Sequence, residues 1–460
     1  MSGGLVSAPK GFAPSAVSIT RYLAQVEQQQ RALGRSPVSL AGGKPNPAVY
    51  DRDEYNQLAF AHIERMAARG SVAGIQNRFQ LKQYLSNYTG SECHQAIRDD
   101  FLAGYQNDFN VQMSAGRLLP TNGNTQAISL LLQMYNKLGI AVSVFTPSPT
   151  YAGVLSPLQY AKNVRPFAVN IDENGMVPHD LEEQIQTAKK TGFHSAFIYL
   201  VPDGDNPSGI TLSQERRDAL YEVAARNGVF ILEDTPYGYL RLEEGEEYPA
   251  LMAANDPENI VMHAFSASKI GVPDERVAWL HVPNEWKLAN GQVFPLYNEV
   301  VAAFAAQSLI HSAMSLAGFN GQMYNDAGEF VGLWPQARKR SAFYRNNRDV
   351  LFDGLQTALA GHPDLFQLSP KPKSGFVFCL KMPGLQKRTG MDAVELARWL
   401  IEKYEVIVTP MAGFYPEGAP VGSGSDEIRF AYSAASPEEL RQGVDRLVSG
   451  LQTAYSINLG

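Results

Sequence analysis

The sequence predicts an α/β protein: a large domain with a mostly parallel central sheet flanked by helices, plus a smaller α+β domain. Three observations carry this reading. Between about residues 120 and 285, short apolar runs rich in β-branched and aromatic residues alternate with helix-period segments, the pattern of repeated strand–helix–strand units. After that, one long charged helical stretch precedes shorter strand-like runs and an amphipathic terminal helix. The chain of 460 residues is also long enough, at roughly 100–200 residues per domain, for more than one core.

In chain order, residues 1–37 are rich in Ser, Gly, Pro and Gln and read as an N-terminal arm around a short helix, Tyr22–Leu33. Residues 51–335 read as the large domain; 38–50 and 336–460 read as the small one. Asn124–Leu138 is expected to be a helix, followed by the strand Ala141–Phe145 and a Pro-rich turn, Thr146–Thr150. Ala196–Val201 (AFIYLV) is a continuous apolar run, as expected of a strand covered on both faces. Ser213 caps a helix over Gln214–Arg226, stopped by Asn227–Gly228. Two further buried strands follow, Val229–Leu232 and Ile260–Ala264. Gln336–Ala360 reads as a long helix, with Phe376–Leu380 and Val406–Val408 as strands of the smaller layer. Ser436, Pro437 and Glu439 supply the N-cap, first-turn proline and capping-box acid of a last helix with the stripe Leu440, Val444, Leu447 and Leu451.

Composition limits function. The 39 Lys and Arg against 46 Asp and Glu give a net charge of −7, with no basic block, which argues against nucleic acid or an anionic membrane as partner. No apolar run approaches the ~18–20 residues that span a bilayer, and the opening residues lack the apolar core of a secretory signal. Two cysteines, Cys93 and Cys379, form neither a disulfide framework nor a metal-ligand spacing, so no metal is expected and a reducing, cytoplasmic setting is.

Four segments could carry chemistry, the first three at the ends of predicted strands, where α/β sheets collect their ligands. In AFSASKIGVPDERVAW (Ala264–Trp279), Lys269 follows a buried strand, with Ser266 and Ser268 before it and Arg276 after. Desolvation and neighbouring cations there would depress the amine pKa, as a nucleophile toward an aldehyde requires. Two hydroxyls and a guanidinium suit a phosphate dianion. In VPDGDNPSGITL, a turn aims Asn206 at the cleft. In ILEDTPY, a strand delivers Asp234, with Tyr237 three residues on; alternation turns the competing acid, Glu233, to the other face. In TNGNTQA, the turn Gly123, Asn124 and Thr125 opens a helix whose free N–H groups favour a phosphate. Tyr151 could stack on a planar ring. Taken singly, each segment also fits an ordinary turn, strand end or core residue.

Their order together is specific. With NPSG, D-x-x-Y and S-x-S-K-x6-R at these separations, the chain resembles the class I/II aminotransferases, pyridoxal-phosphate enzymes of fold type I, the aspartate aminotransferase fold, from about Leu40 to the final helix. The resemblance implies that Lys269 carries pyridoxal 5′-phosphate covalently and relays a proton. It implies that Asp234 pairs with the ring nitrogen, that Asn206 and Tyr237 contact the phenolic oxygen, and that Tyr151 stacks on the ring. Gly123, Asn124, Thr125, Ser266, Ser268 and Arg276 would surround the phosphate. Arg429, in the strand-like IRFAY, would hold the substrate α-carboxylate beside Gly43 of the LAGGKPNP loop. Tyr88 sits where the family reaches the other subunit's phosphate, which implies a homodimer with shared sites.

The implied activity is amino transfer from an L-amino acid to a 2-oxo acid by a ping-pong mechanism. Phe414, Tyr415 and Tyr22 hint at an apolar or aromatic substrate. The same fold and cofactor also serve carbon–sulfur lyases, decarboxylases and amino-acid oxidases. The chain departs from the family where Asp274 and Glu275 replace a usual Gly before the phosphate arginine, so those acids should point away. The S-K-I-G-V-P wording and Val408–Glu417 look most like the valine–pyruvate transaminase branch.

Overall fold

The computed structural model describes residues 16–72, 74–288 and 290–459. Its centre is an eight-stranded sheet in the order Leu118–Asn122, Val277–His281, Val261–Ser266, Phe230–Thr235, His194–Leu200, Val142–Ser148, Val164–Asp172 and Gly175–Met176. The five strands from Val261–Ser266 to Val164–Asp172 run parallel; Val277–His281 and Gly175–Met176 run against them. The near-continuous apolar runs have the expected cause, since helices cover both faces. On one face the Asn124–Leu138 helix sets Tyr135 against Phe197. On the other, Phe101 and Tyr105 of the Gln95–Phe109 helix stack among Phe265 and Trp279.

A four-stranded antiparallel sheet follows, in the order Gln367–Leu368, Val377–Lys381, Glu427–Ala431 and Thr409–Pro410. It is backed by the 26-residue helix Trp334–Leu359 and the terminal helix Pro437–Tyr455, which begins in the expected capping box of Ser436 and Glu439. The Gln214–Asn227 helix likewise starts on Ser213 and ends on the left-handed Gly228.

Three expectations shift. Thr146–Ser148 belongs to a strand, not a turn: Pro147 pairs with Val169 on one side only, after pairing to the other neighbour has ended at Phe145, so its missing N–H is tolerated. Val406–Ile407 stays out of the four-stranded sheet and pairs in parallel with Val38–Ser39, leaving the sheet edge to Thr409–Pro410. The N-terminal helix is longer than expected, Ala16–Ala32, and is more than a surface arm. Buried Ile19, Leu23 and Val26 dock it, and that burial outweighs the weak helix propensity of Val17, Ile19 and Thr20. The part of the arm at residues 1–15 lies outside the described residues. No helix among the described residues is long and apolar enough to cross a membrane.

Candidate active site

The strand ends converge. Asp234 lies one residue before the end of Phe230–Thr235. Lys269 closes a single 3-10 turn, Ala267–Lys269, directly after Val261–Ser266. Asn206 sits in the loop after His194–Leu200, Tyr151 caps the helix after Val142–Ser148, and Gly123 joins Leu118–Asn122 to its helix. Arg429 arrives from the smaller sheet, on Glu427–Ala431. Five separate crossovers thus end at one cleft, as the parallel topology requires.

At the centre, Lys269 Nζ donates to the Gly43 carbonyl at 3.0 Å, and no carboxylate pairs with it among the described residues. Burial, then the charges of Arg429 and Arg276, lower its pKa from 10.5 to about 8, with Asp234 opposing. The amine lies 5.9 Å from the Tyr237 ring centroid and 5.7 Å from that of Phe376. Tyr237 is itself buried, which raises its phenol pKa.

Asp234 is 2% exposed. Burial raises its pKa to about 6, restrained by hydrogen bonds from Tyr199 and Asn124. Tyr199 Oη donates to Oδ2 at 2.7 Å and Asn124 Nδ2 to Oδ1 at 2.5 Å. Glu233 does face the other side of the sheet, but it is no solvated strand end. It is fully buried and accepts from the Met252 and Ala253 backbone N–H groups and bonds His263 Nδ1 at 2.8 Å.

Hydroxyl and guanidinium donors gather where the lysine turn meets the glycine turn. Ser266 Oγ accepts from the Ser268 N–H and donates to Ser268 Oγ at 3.0 Å. Arg276 donates to Ser268 Oγ at 3.2 Å and to the Asn122 carbonyl at 3.1 Å. Gly123 is required here. It has φ 86°, and a Cβ on it would lie 1.9 Å from Arg276 Nη2. Thr125 is exposed at the helix start. The side chain of Asn124 turns to Asp234 instead, which leaves only its backbone for a phosphate. The two unexpected acids point away as expected: Arg52 forms ion pairs with both Asp274 and Glu275, and Ser315 also donates to Glu275.

Arg429 is buried, which lowers its pKa. It donates to Asn206 Oδ1 at 2.7 Å and to the Ala41 carbonyl at 3.0 Å, stands over the Phe414 ring at 5.0 Å, and leaves Nε without a partner. The Leu40–Pro47 loop thereby spans the cleft, touching Arg429 through Ala41 and Lys269 through Gly43. Tyr415 is drawn off to Glu427 at 2.5 Å, and Tyr88 is 83% exposed.

Sequence reasoning missed Tyr199 and the carbonyl of Ala41. A tyrosine within an otherwise apolar buried run needs a partner for its hydroxyl, so Tyr199 was open to discovery; a backbone acceptor carries no sequence signal.

A half-buried amine with no carboxylate partner among the described residues thus shares one cleft with two serine hydroxyls, two guanidinium groups and a buried Asp. The family model of aminotransferase class I and II matches residues 56–447, so the chain belongs to that family and is a transaminase. It is similar to aromatic-amino-acid aminotransferase 1 of Thermococcus litoralis, 29% identical, covering 90% of this chain and 88% of the relative. It is also similar to the mitochondrial kynurenine/alpha-aminoadipate aminotransferase of Bos taurus, 24% identical over 94% of this chain and 96% of the relative. Aspartate aminotransferase of Thermus thermophilus (a single mutant) shares the fold with a TM-score of 0.71 at 17% identity, covering 96% of this chain and 98% of that one.

Proposed function

We propose that this transaminase uses pyridoxal 5′-phosphate on Lys269 to move an amino group from an L-amino acid to a 2-oxo acid in two successive half-reactions. The residues fit that group: a glycine that a Cβ would drive into Arg276, two serine hydroxyls, and an amine without a carboxylate partner. When bound, the cofactor supplies an electron sink for the pair left behind when the substrate Cα loses its proton.

The chain's own residues do the rest. Lys269 Nζ, neutral above about pH 8, takes the proton from the substrate Cα and returns it during turnover. The Asp234 carboxylate holds a proton on the ring nitrogen. The Arg429 fork binds the α-carboxylate of donor and acceptor alike, with Asn206 fixing its plane. Displacing the Ala41 carbonyl frees Nη2 for the substrate. Tyr237 would contact the phenolic oxygen and Tyr151 the ring, while Ser266, Ser268, Arg276 and the Gly123–Thr125 turn would hold the phosphate.

The exposed Tyr88 completes that cradle from a second copy, in a cytoplasmic homodimer. Phe414 beneath Arg429, with Met411 beside it, favours an apolar or aromatic side chain, in keeping with the aromatic and kynurenine substrates in the two relatives' names. Those names lend no support to the valine–pyruvate branch.

The observation that carries the proposal is the half-buried Lys269 amine, which donates to the Gly43 carbonyl, has no carboxylate partner among the described residues, and shares one cleft with Arg429 and Arg276. Borohydride reduction of the loaded enzyme and peptide mapping tests it. The reduced adduct should lie on Lys269, and a modified lysine elsewhere, or none, refutes it. A screen of amino acids with and without a 2-oxo acid then identifies the donor. Stoichiometric consumption of both partners is expected.

A further inference from the structure

We propose that Tyr199 and Asn124 are positioning residues that hold Asp234 ionised and aimed at the cofactor ring nitrogen; this rests on the cofactor reading above. The geometry carries it. Tyr199 is fully buried, and its hydroxyl donates to Asp234 Oδ2 at 2.7 Å. Asn124 donates to Oδ1 at 2.5 Å and to the Ala264 carbonyl, on the neighbouring strand, at 3.0 Å. Each carboxylate oxygen therefore receives one donor and keeps acceptor capacity for one more.

The character of the donors matters as much as their number. No arginine or lysine forms an ion pair with Asp234 among the described residues; Lys269, whose charge acts on it, donates to Gly43 instead. A guanidinium on Asp234 would hold it ionised but would also cancel the charge that a protonated heterocycle needs. Two neutral donors oppose the cost of burying a carboxylate while leaving its full negative charge for the ring. That balance matches a pKa raised only to about 6 in a group 2% exposed.

The other ionisable groups whose charge bears on Asp234 are Lys269 from the turn after its neighbouring strand, His263 on that strand but on the opposite face with Glu233, Asp205 from the Asn206 loop, and the phenols of Tyr151 and Tyr237. Among the described residues none of these five hydrogen-bonds Asp234, so loss of the Tyr199 or Asn124 donor has no ready replacement. Asn124 has a second consequence. It is the first residue of the helix whose start lies beside Arg276, so the phosphate cradle and the ring-nitrogen anchor share one rigid residue.

The test follows the proton itself. Wild type, Tyr199→Phe and Asn124→Ala are loaded with cofactor labelled at the ring nitrogen with 15N, and its resonance is followed from pH 6 to 9. In wild type the nitrogen should stay protonated across the range. In either variant it should lose its proton within that range, and the double variant should lose it at lower pH still. Tyr199→Phe keeps the ring and its packing; if it does not fold, Asn124→Ala decides alone. A variant that binds cofactor and titrates as wild type overturns the proposal. Absence of any bound resonance in wild type instead defeats the underlying cofactor reading.

Discussion

Replacing Gly123 with alanine tests the phosphate cradle without touching a reactive group. The backbone there has φ 86° and ψ 160°, a region essentially reserved for glycine, so alanine costs on the order of 1–3 kcal/mol in strain. The new Cβ would lie 1.9 Å from Arg276 Nη2 and 2.8 Å from its Cζ, so the guanidinium must leave. It then forfeits its bonds to Ser268 Oγ and the Asn122 carbonyl, and its place at the phosphate. A charge-assisted hydrogen bond is worth about 1.5–3 kcal/mol; two lost to the phosphate weaken cofactor binding by about 3 kcal/mol or more, at least a hundredfold. Titrating the cofactor's visible band measures this, and thermal unfolding of the cofactor-free protein measures the strain. Gly228→Ala is the control. It too has positive φ, 65°, but nothing lies within 4 Å of its Cβ, so it should cost about 1 kcal/mol of stability and leave cofactor affinity unchanged. Cofactor affinity of Gly123→Ala within threefold of wild type would refute the reasoning.

Three further outcomes follow from the same geometry. Lys269→Met should stabilise the cofactor-free chain by about 3 kcal/mol at pH 7. The folded chain resists protonating this amine until pH falls to about 8, whereas the unfolded chain protonates it near 10.5, so the gain fades as pH rises from 8 through 10.5; urea unfolding at pH 7 and pH 10.5 checks the sign. Arg429→Leu should lower kcat/KM about 100- to 1000-fold for amino donor and 2-oxo acceptor alike, and a loss confined to one half-reaction would count against a shared carboxylate anchor. Glu233→Leu should cost about 3–5 kcal/mol, because it leaves His263 Nδ1 and two backbone N–H groups buried without their partner. Burial works against ionising Glu233, but the His263 hydrogen bond and charge outweigh it and hold its pKa below the usual range. The stability it contributes is thus present above the ordinary carboxylate pKa and lost as pH falls through the depressed one, as an acid unfolding series of wild type and variant would show.

Much of the large sheet was legible because its physical signals are local and agree. Asn124–Leu138 matches its expected bounds, since a left-handed glycine stands at each end of an unbroken apolar stripe. Ser213, Gly228, Ser436 and Glu439 likewise bond to backbone within a few residues, so their roles survive without knowledge of the rest of the chain. The misread segments depend on partners far away. Thr146–Ser148 is extended because Val164–Asp172 lies beside it, and Val406–Ile407 finds Val38–Ser39 from the opposite end of the chain. The Ala16–Ala32 helix exists where a buried face compensates β-branched residues, which propensity alone penalises.

The site divides in the same way. Lys269, Asp234, Asn206 and Arg276 could be read because each follows a recognisable strand, and parallel strands all deliver their carboxyl ends to one edge. What alternation along a strand also fixes, though less visibly, is which residues share a face. Asp234 and Leu232 point one way and Glu233 the other, and pairing of Leu232 with Tyr199 puts Tyr199 on the Asp234 side. That register was not available from one strand read alone. Asn124 shows the complementary limit: its position at a helix start suggested the phosphate, but its side chain is claimed by a carboxylate three strands along the sheet. A residue at the junction of two subsites is assigned to the nearer one by sequence and to the more demanding one by energy, and a buried charge is the more demanding of the two.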